Sequence, residues 1–246
     1  MNQPPIEPLR AAMRSLYASK LINPPSWSDR SDIAFIATHL IERSIAGLAP
    51  RLQGDLIDVG CGQQPYRSYF EHVKHIAACD FDGGRGRVDF ACPAHAIPVP
   101  PESFDAVLCT EVLEHVPDPL AVWREFHRIL RPNGLVLLAA PSYWPAHELP
   151  YDFYRYPEHG LRYLATTAGF EIKDLWPRGG RWATLGQVGM HAIGHYLKLR
   201  VMRRAWNGFF LWADQKRANP DITLGWTILA QKPAGLNAGI SPPAGG

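Results

Sequence analysis

The 246-residue sequence has few cysteines, little net charge and no long apolar run, and each shortage excludes something. The four cysteines, Cys61, Cys79, Cys92 and Cys109, contain no Cys-x-x-Cys pair. They therefore offer no zinc-ribbon spacing and no dithiol redox motif. Each falls near an end of an expected strand, as small core hydrophobes of a reducing compartment do. The formal net charge is only +2, without the basic footprint of a nucleic-acid binder. No uncharged apolar stretch reaches the length of a membrane span. The opening MNQPPIEPLR lacks a charged-then-apolar leader pattern, which points to a cytoplasmic protein. No internal repeat is present. The hydrophobic content of 46% and charged content of 20% are those of an ordinary globular protein.

One further absence bears on chemistry. In DLIDVGCGQQPYRSYF, Asp55 to Phe70, an apolar run enters Gly60-Cys61-Gly62 and then the glycines stop. A dinucleotide-binding loop would place a third glycine near Gln64 or Pro65.

The remaining pattern alternates. SDRSDIAFIATHLIERSIAG (28–47) reads as an amphipathic helix capped by Ser28 or Ser31 and ended by Gly47. Strands are expected at 55–60, 75–81, 87–91, 104–112, 134–141, 170–177 and 223–232. Helices are expected at 65–73, 119–130 and 158–169, with a turn at Arg131 to Gly134. This predicts an α/β fold, with a doubly wound, mostly parallel seven-stranded sheet covered on both faces. Residues 1–49 form an N-terminal helical extension, 50–180 the core, 181–217 a helical insertion and 218–233 the last strand. The proline-rich first eight residues and the Gly/Pro/Ala-rich tail 234–246 are expected to be disordered.

Acidic residues sharpen the meaning of the glycine loop. Asp80 ends the second strand, twenty-two positions after Asp58. An acid about 20 residues beyond such a loop accepts ribose hydroxyls; the plain alternative is a turn cap before Asp82-Gly83-Gly84. Asp58 ahead of the glycines would repel a pyrophosphate but suits a ligand with a positive amino group. This argues against a nucleotide-dependent dehydrogenase. A ribose with a cation and no phosphate describes S-adenosylmethionine.

The ordered set Asp-Val-Gly-Cys-Gly, Asp80, PPESFDAVLCTEVLEHVPDP (100–119) and LRPNGLVLLAAP (130–141) resembles the class I S-adenosylmethionine-dependent methyltransferases. The likeness is to the type 11 group, with members in bacterial quinone and glycan pathways, and it covers about residues 50 to 177. It implies a Rossmann-like methyltransferase fold and S-adenosyl-L-methionine as cofactor. It also implies that Asp58, Gly60 and Gly62 line the methionine portion, that Asp80 holds the ribose hydroxyls and that Phe81 lies against adenine. Thr110 and Glu111 would face the methionine end. Where the family usually carries an acid for the adenine amino group, this chain has Pro93, so backbone groups around Cys92 to Ala94 must serve.

Methyl transfer to oxygen needs orientation and a base. His115 follows the fourth strand, although Glu114-His115 also reads as a shared fold feature. SYWPAHELPYDFYRYPEHGLRYL (142–164) follows the fifth strand and crowds His147, Glu148, Tyr151, Asp152, Tyr154, Arg155 and Tyr156 together. We take His147 as the base candidate, and His115, Tyr151, Asp152, Tyr154 and Arg155 as substrate contacts. The alternative is a structural loop of packed tyrosines. No metal site is expected, because no helix fixes the His-Glu-x-x-x-Asp spacing. HELPYDFYRYPEHGL further resembles methyltransferases of surface-glycan or cell-envelope pathways, which implies a sugar-containing or lipid-linked small molecule. A quinone or other small-molecule substrate, and a catalytically silent scaffold, are the alternatives.

The 181–217 stretch is aromatic and basic, with Trp182, Trp206, Phe209, Phe210 and Trp212 beside Lys198, Arg200, Arg203 and Arg204. It reads as a lid or core helix pair, a homodimer face, or a peripheral contact at the inner membrane face. His191 and His195 are spaced to share a helix face.

Overall fold

The computed structural model describes residues 29–82, 88–217 and 220–235. Ser28, the first eight residues and most of the tail lie outside these. A helix α1 (Phe35–Leu48) precedes β1 (Asp55–Val59), β2 (His75–Asp80), β3 (Phe90–Ala91) and β4 (Phe104–Thr110). Then follow α2 (Pro119–Ile129), β5 (Leu130–Pro141), α3 (Glu158–Thr167), β6 (Glu171–Pro177), α4 (Arg181–Ile193), α5 (Arg200–Lys216) and β7 (Gly225–Gln231). The seven strands form one sheet in the order β3-β2-β1-β4-β5-β7-β6. β7 pairs antiparallel with both neighbours, and every other pairing is parallel.

The central strands are apolar on both sides because both faces are covered. Ile57, Val59, Val107, Cys109, Val136 and Leu138 pack with Trp123, Phe126 and Ile129 of α2 and Leu161 and Ala165 of α3. Leu56, Ala106, Leu108 and Leu137 point the other way, against Ile41, Ile45 and Leu48 of α1 and against Tyr66 and Phe70. The period-2 alternation assigns each side chain to its face. All four cysteines are free and buried.

Several local expectations change. Ser31 does not cap α1: it donates its hydroxyl to Asp29 (2.7 Å), while Asp32 accepts the Ala34 N–H (2.7 Å) and starts the first turn. The helix passes through Gly47, where any β-carbon would strike the Trp176 ring. Segment 65–73 is not an α-helix but a single 3-10 turn, Arg67–Phe70. Gln64 takes a left-handed φ of 54°, and Lys74 N–H must return to the Gly54 carbonyl (2.9 Å) at the edge of β2, which leaves no length for an α-helix. The expected turn at 131–134 is instead an irregularity inside β5. The pairing slips between Phe104 and Ala106, and Asn133 adopts a φ of 66°.

The 181–217 stretch folds as two packed helices. Gly186 and Gly189 let α4 approach Phe210 and Trp206 of α5. Asp214 of α5 accepts from Gly180 N–H (3.0 Å) and Ala183 N–H (3.1 Å), satisfying the first turn of α4. Buried amides join the pair to α1 and its approach. Gln187 accepts from Ala37 N–H (3.1 Å) and donates to the Ile33 carbonyl (2.8 Å), and Asn207 donates to the Arg30 and Asp32 carbonyls (2.8 and 3.0 Å). His191 and His195 share no helix face, because α4 ends at Ile193. His191 packs edge-on against Trp144 (4.7 Å between centroids).

Candidate active site at the carboxyl ends of the parallel strands

Three loops converge where β1, β2, β4 and β5 end. The first leaves β1 through Gly60 and Gly62, both left-handed (φ 69° and 49°). Only glycine takes these conformations at little cost. A β-carbon at Gly60 would collide with Val112, whereas at Gly62 it would meet open space. Gly60 and Cys61 N–H groups bond the Cys79 carbonyl (2.8 and 3.1 Å), locking the loop over the end of β2.

Two buried carboxylates flank the loop. Asp80 is 6% exposed and accepts the Gly62 N–H at 2.8 Å. Asp58, 4% exposed, is the fourth of the five residues of β1, between the apolar Ile57 and Val59. Burial, and then the negative charge of Asp80, push its pKa up to about 7. Burial also raises Asp80. Without a cationic ligand the two carboxylates oppose each other's ionisation. Phe81 follows directly, half-buried. Pro93 and Ala94, half-buried, follow Cys92, whose N–H bonds the Asp80 carbonyl (3.0 Å).

The second loop leaves β4 at Thr110. Glu111 has a left-handed φ of 53°, and its carboxylate accepts from Arg178 Nη1 (2.8 Å). Arg178 is 3% exposed, and nothing in the sequence reading singled it out. Its one signal is its place just beyond β6, at the same rim of the sheet.

The third loop, after β5, folds back on the second. Phe153 N–H bonds the Glu114 carbonyl (2.9 Å) and Tyr156 hydroxyl donates to the Leu113 carbonyl (2.8 Å). His115 Nδ1 lies 2.7 Å from the Tyr151 carbonyl. His115 and His147 thereby meet, ring centroids 4.6 Å apart. Burial and the neighbouring His115 hold the His147 pKa down at about 4, so the ring is neutral at pH 7.

The other expected substrate contacts are largely committed within the protein. Asp152 accepts two bonds from Arg155 (2.5 and 2.8 Å) and the His147 N–H (3.1 Å). Arg155 also donates to the Trp144 and Pro145 carbonyls. Tyr154 hydroxyl donates to the Pro117 carbonyl (3.0 Å). Through these bonds the three side chains also shape the loop. His115 keeps its ring against His147, and the Tyr151 ring lies beside Phe153.

The family model for a methyltransferase domain matches residues 57–138. Over that segment the chain is similar to the methyltransferase domain family. The matched segment runs from β1 to β5 and contains the glycine loop, both buried carboxylates and Glu114-His115. The ubiquinone biosynthesis O-methyltransferase of Pseudomonas syringae pv. tomato is 54% identical over 80 residues, 32% of this chain and 28% of that protein. A probable S-adenosylmethionine-dependent methyltransferase of Mycolicibacterium smegmatis is 29% identical over 144 residues, 52% of this chain and 56% of that one. The chain thus spans less than two thirds of either relative. Among solved structures, the 1,6-didemethyltoxoflavin-N1-methyltransferase of Burkholderia thailandensis has a TM-score of 0.54 at 16% identity, over 95% of this chain and 92% of that one. The [4+2]-cyclase SpnF also has a TM-score of 0.54, at 21% identity, over 94% and 93%. These two share the fold. That one is named a methyltransferase and the other a cyclase shows why activity must be argued from the site.

Proposed function

We propose that this chain transfers a methyl group from S-adenosylmethionine to an oxygen of a small hydroxylated molecule. The observation that carries this reading is the left-handed Gly60–Gly62 loop set between two buried carboxylates at the sheet's carboxyl edge. The residues fit the cofactor: the open side of Gly62 admits close approach, and among the described residues no side-chain cation is bonded to Asp58 or Asp80. In this account Asp80 takes the ribose hydroxyls, with Phe81 beside the adenine and the backbone at Pro93 and Ala94 along its edge. Asp58, Thr110 and Glu111 take the methionine end. Bound there, the cofactor supplies an activated methyl carbon.

The chain's own work is orientation and proton removal. The His147 ring N–H faces Asp152 (3.5 Å) and the Pro145 carbonyl (3.2 Å), which leaves Nε2 able to accept a proton. His115 and Tyr151 border the same space. The partial relatives named for ubiquinone biosynthesis favour a phenolic quinone precursor, and the resemblance of the 147–161 loop favours a sugar-containing or lipid-linked hydroxyl. A lipid-borne substrate agrees with the outer face of α5 and of the connection that leads into it from α4. There Tyr196, Leu199, Val201, Met202, Phe209 and Trp212 are exposed beside Lys198, Arg200 and Arg204. No helix among the described residues is long and apolar enough to cross a membrane.

The test is methyl-labelled S-adenosylmethionine incubated with the protein and with polyphenol, quinone-precursor, glycan and lipid fractions. Label in one fraction, lost in Asp80→Ala, establishes the reaction and its substrate class. Cofactor binding with no label in any fraction points to the scaffold alternative.

A further inference from the structure

We propose that Glu114, His115 and His147, with Glu148 beside them, form a site for a first-row divalent metal ion. One ligand atom from each of the first three lies within 4.8 Å of the other two. The case rests on which atoms converge, not on the cluster alone.

Both imidazoles are oriented by their other nitrogen. His115 Nδ1 donates to the Tyr151 carbonyl at 2.7 Å. His147 Nδ1 faces the Pro145 carbonyl at 3.2 Å and Asp152 at 3.5 Å. Each ring therefore keeps its proton on Nδ1 and turns an Nε2 lone pair inward. Metal-bound histidines are held this way, by a carbonyl or carboxylate on the far nitrogen.

The group facing these lone pairs is another acceptor. Glu114 is 1% exposed, and its Oε2 has no hydrogen-bond partner among the described residues. Its Oε1 is 3.8 Å from His115 Nε2, and Glu148 Oε2 is 3.7 Å from the same nitrogen. Both separations exceed a hydrogen bond, so a proton on Nε2 does not satisfy the cluster in this geometry. At these distances a proton held by either partner does not reach the other, whereas a cation between them would be shared by all three. Among the described residues, the arginines whose charge acts on Glu114 are engaged elsewhere, Arg178 with Glu111 and Arg155 with Asp152.

Two imidazoles and a carboxylate suit zinc, cobalt or manganese better than the all-oxygen preference of magnesium and calcium. Zinc bonds of about 2.1 Å place tetrahedral ligands about 3.4 Å apart. Small χ rotations of Glu114 and His147 close the difference. Three protein ligands leave a fourth position open toward the cleft. An ion there would occupy the His147 Nε2 lone pair and act in place of that base, binding a substrate oxygen and lowering the pKa of its hydroxyl as it does for water. The inference does not depend on the cofactor reading, and its test is separate.

Untagged, metal-stripped protein is titrated with Co2+, and visible d–d absorption is followed. The expected result is one Co2+ per chain with a low-symmetry, intense spectrum that Zn2+ displaces. His147→Ala and His115→Ala should each weaken binding more than tenfold, and so should Glu114→Gln. His159→Ala, at the exposed start of α3, should change nothing. His147 is partly exposed, so its variant remains informative if Glu114→Gln misfolds; circular dichroism and S-adenosylmethionine binding confirm that each variant is folded. No cobalt spectrum at millimolar Co2+ would overturn the proposal. So would a spectrum that survives in the His115→Ala/His147→Ala double variant.

Discussion

His115 Nδ1 is 2.7 Å from the Tyr151 carbonyl, so a loop that follows β5 fixes the tautomer of a histidine that follows β4. Thirty-six residues separate the two in sequence, and only the pairing of β4 with β5 brings them together. The lone pair offered to the cleft is therefore set by the fold.

The glycine loop should tolerate substitution unequally. Gly60→Ala meets both a left-handed φ and a collision with Val112, while Gly62→Ala meets only the φ. We expect Gly60→Ala to cost about 2–3 kcal/mol and Gly62→Ala about 1. Adding Val112→Ala to Gly60→Ala should recover part of the loss. Urea denaturation of the four proteins measures this; equal costs would reject the packing argument.

Asp58 should make stability and ligand affinity depend on pH in opposite directions. Its folded pKa is raised to about 7 from 3.8. Between those values the folded chain keeps a proton that the unfolded chain has lost. Its contribution is thus most favourable below about pH 4 and declines as pH rises toward 7. Asp58→Asn should flatten that part of the stability profile. A cationic ligand prefers the ionised carboxylate, so S-adenosylmethionine should bind more tightly as pH rises through 7. Calorimetry from pH 6 to 8 tests this, and a flat profile in the wild type removes the assignment.

His147→Ala should separate chemistry from binding. General-base loss costs about 10²-fold or more in kcat. Cofactor affinity should move by less than about threefold, a difference of under ~0.7 kcal/mol. Full turnover in the variant ends the base role.

Asp214→Ala should loosen α4. The carboxylate accepts the Gly180 and Ala183 N–H groups across helices. Loss of such a cap costs roughly 1–2 kcal/mol, or about 2–8 °C in Tm for a chain of this size. Asp214→Asn should retain part of the effect. An unchanged melting curve in the alanine variant would show that the cap contributes nothing.

The sheet was legible because strands buried on both faces are nearly continuous apolar runs, as at Leu56 to Val59 and Val136 to Ala140. Direction was not, because antiparallel β7 lies between covered neighbours and carries the same pattern. The misread helix at 65–73 had a physical cause. Tyr66 and Phe70 are spaced four apart and are both buried, but a 3-10 turn places them there as well. The glycine loop with its acids could be read locally, since Asp58, Gly60 and Gly62 are sequence neighbours. Arg178 could not, since its partner Glu111 lies 67 residues earlier. The pairing of Asp152 with Arg155 was not legible either, because sequence shows residue type and not which hydrogen bonds a side chain makes.

The most direct test is calorimetric titration of the wild type and of Asp80→Ala with S-adenosylmethionine at pH 8. Saturable binding at one site per chain, weakened about tenfold or more in the variant, is the result this account predicts; charged hydrogen bonds are worth about 1.5–3 kcal/mol. No binding to the wild type, or equal affinity in both proteins, would contradict it.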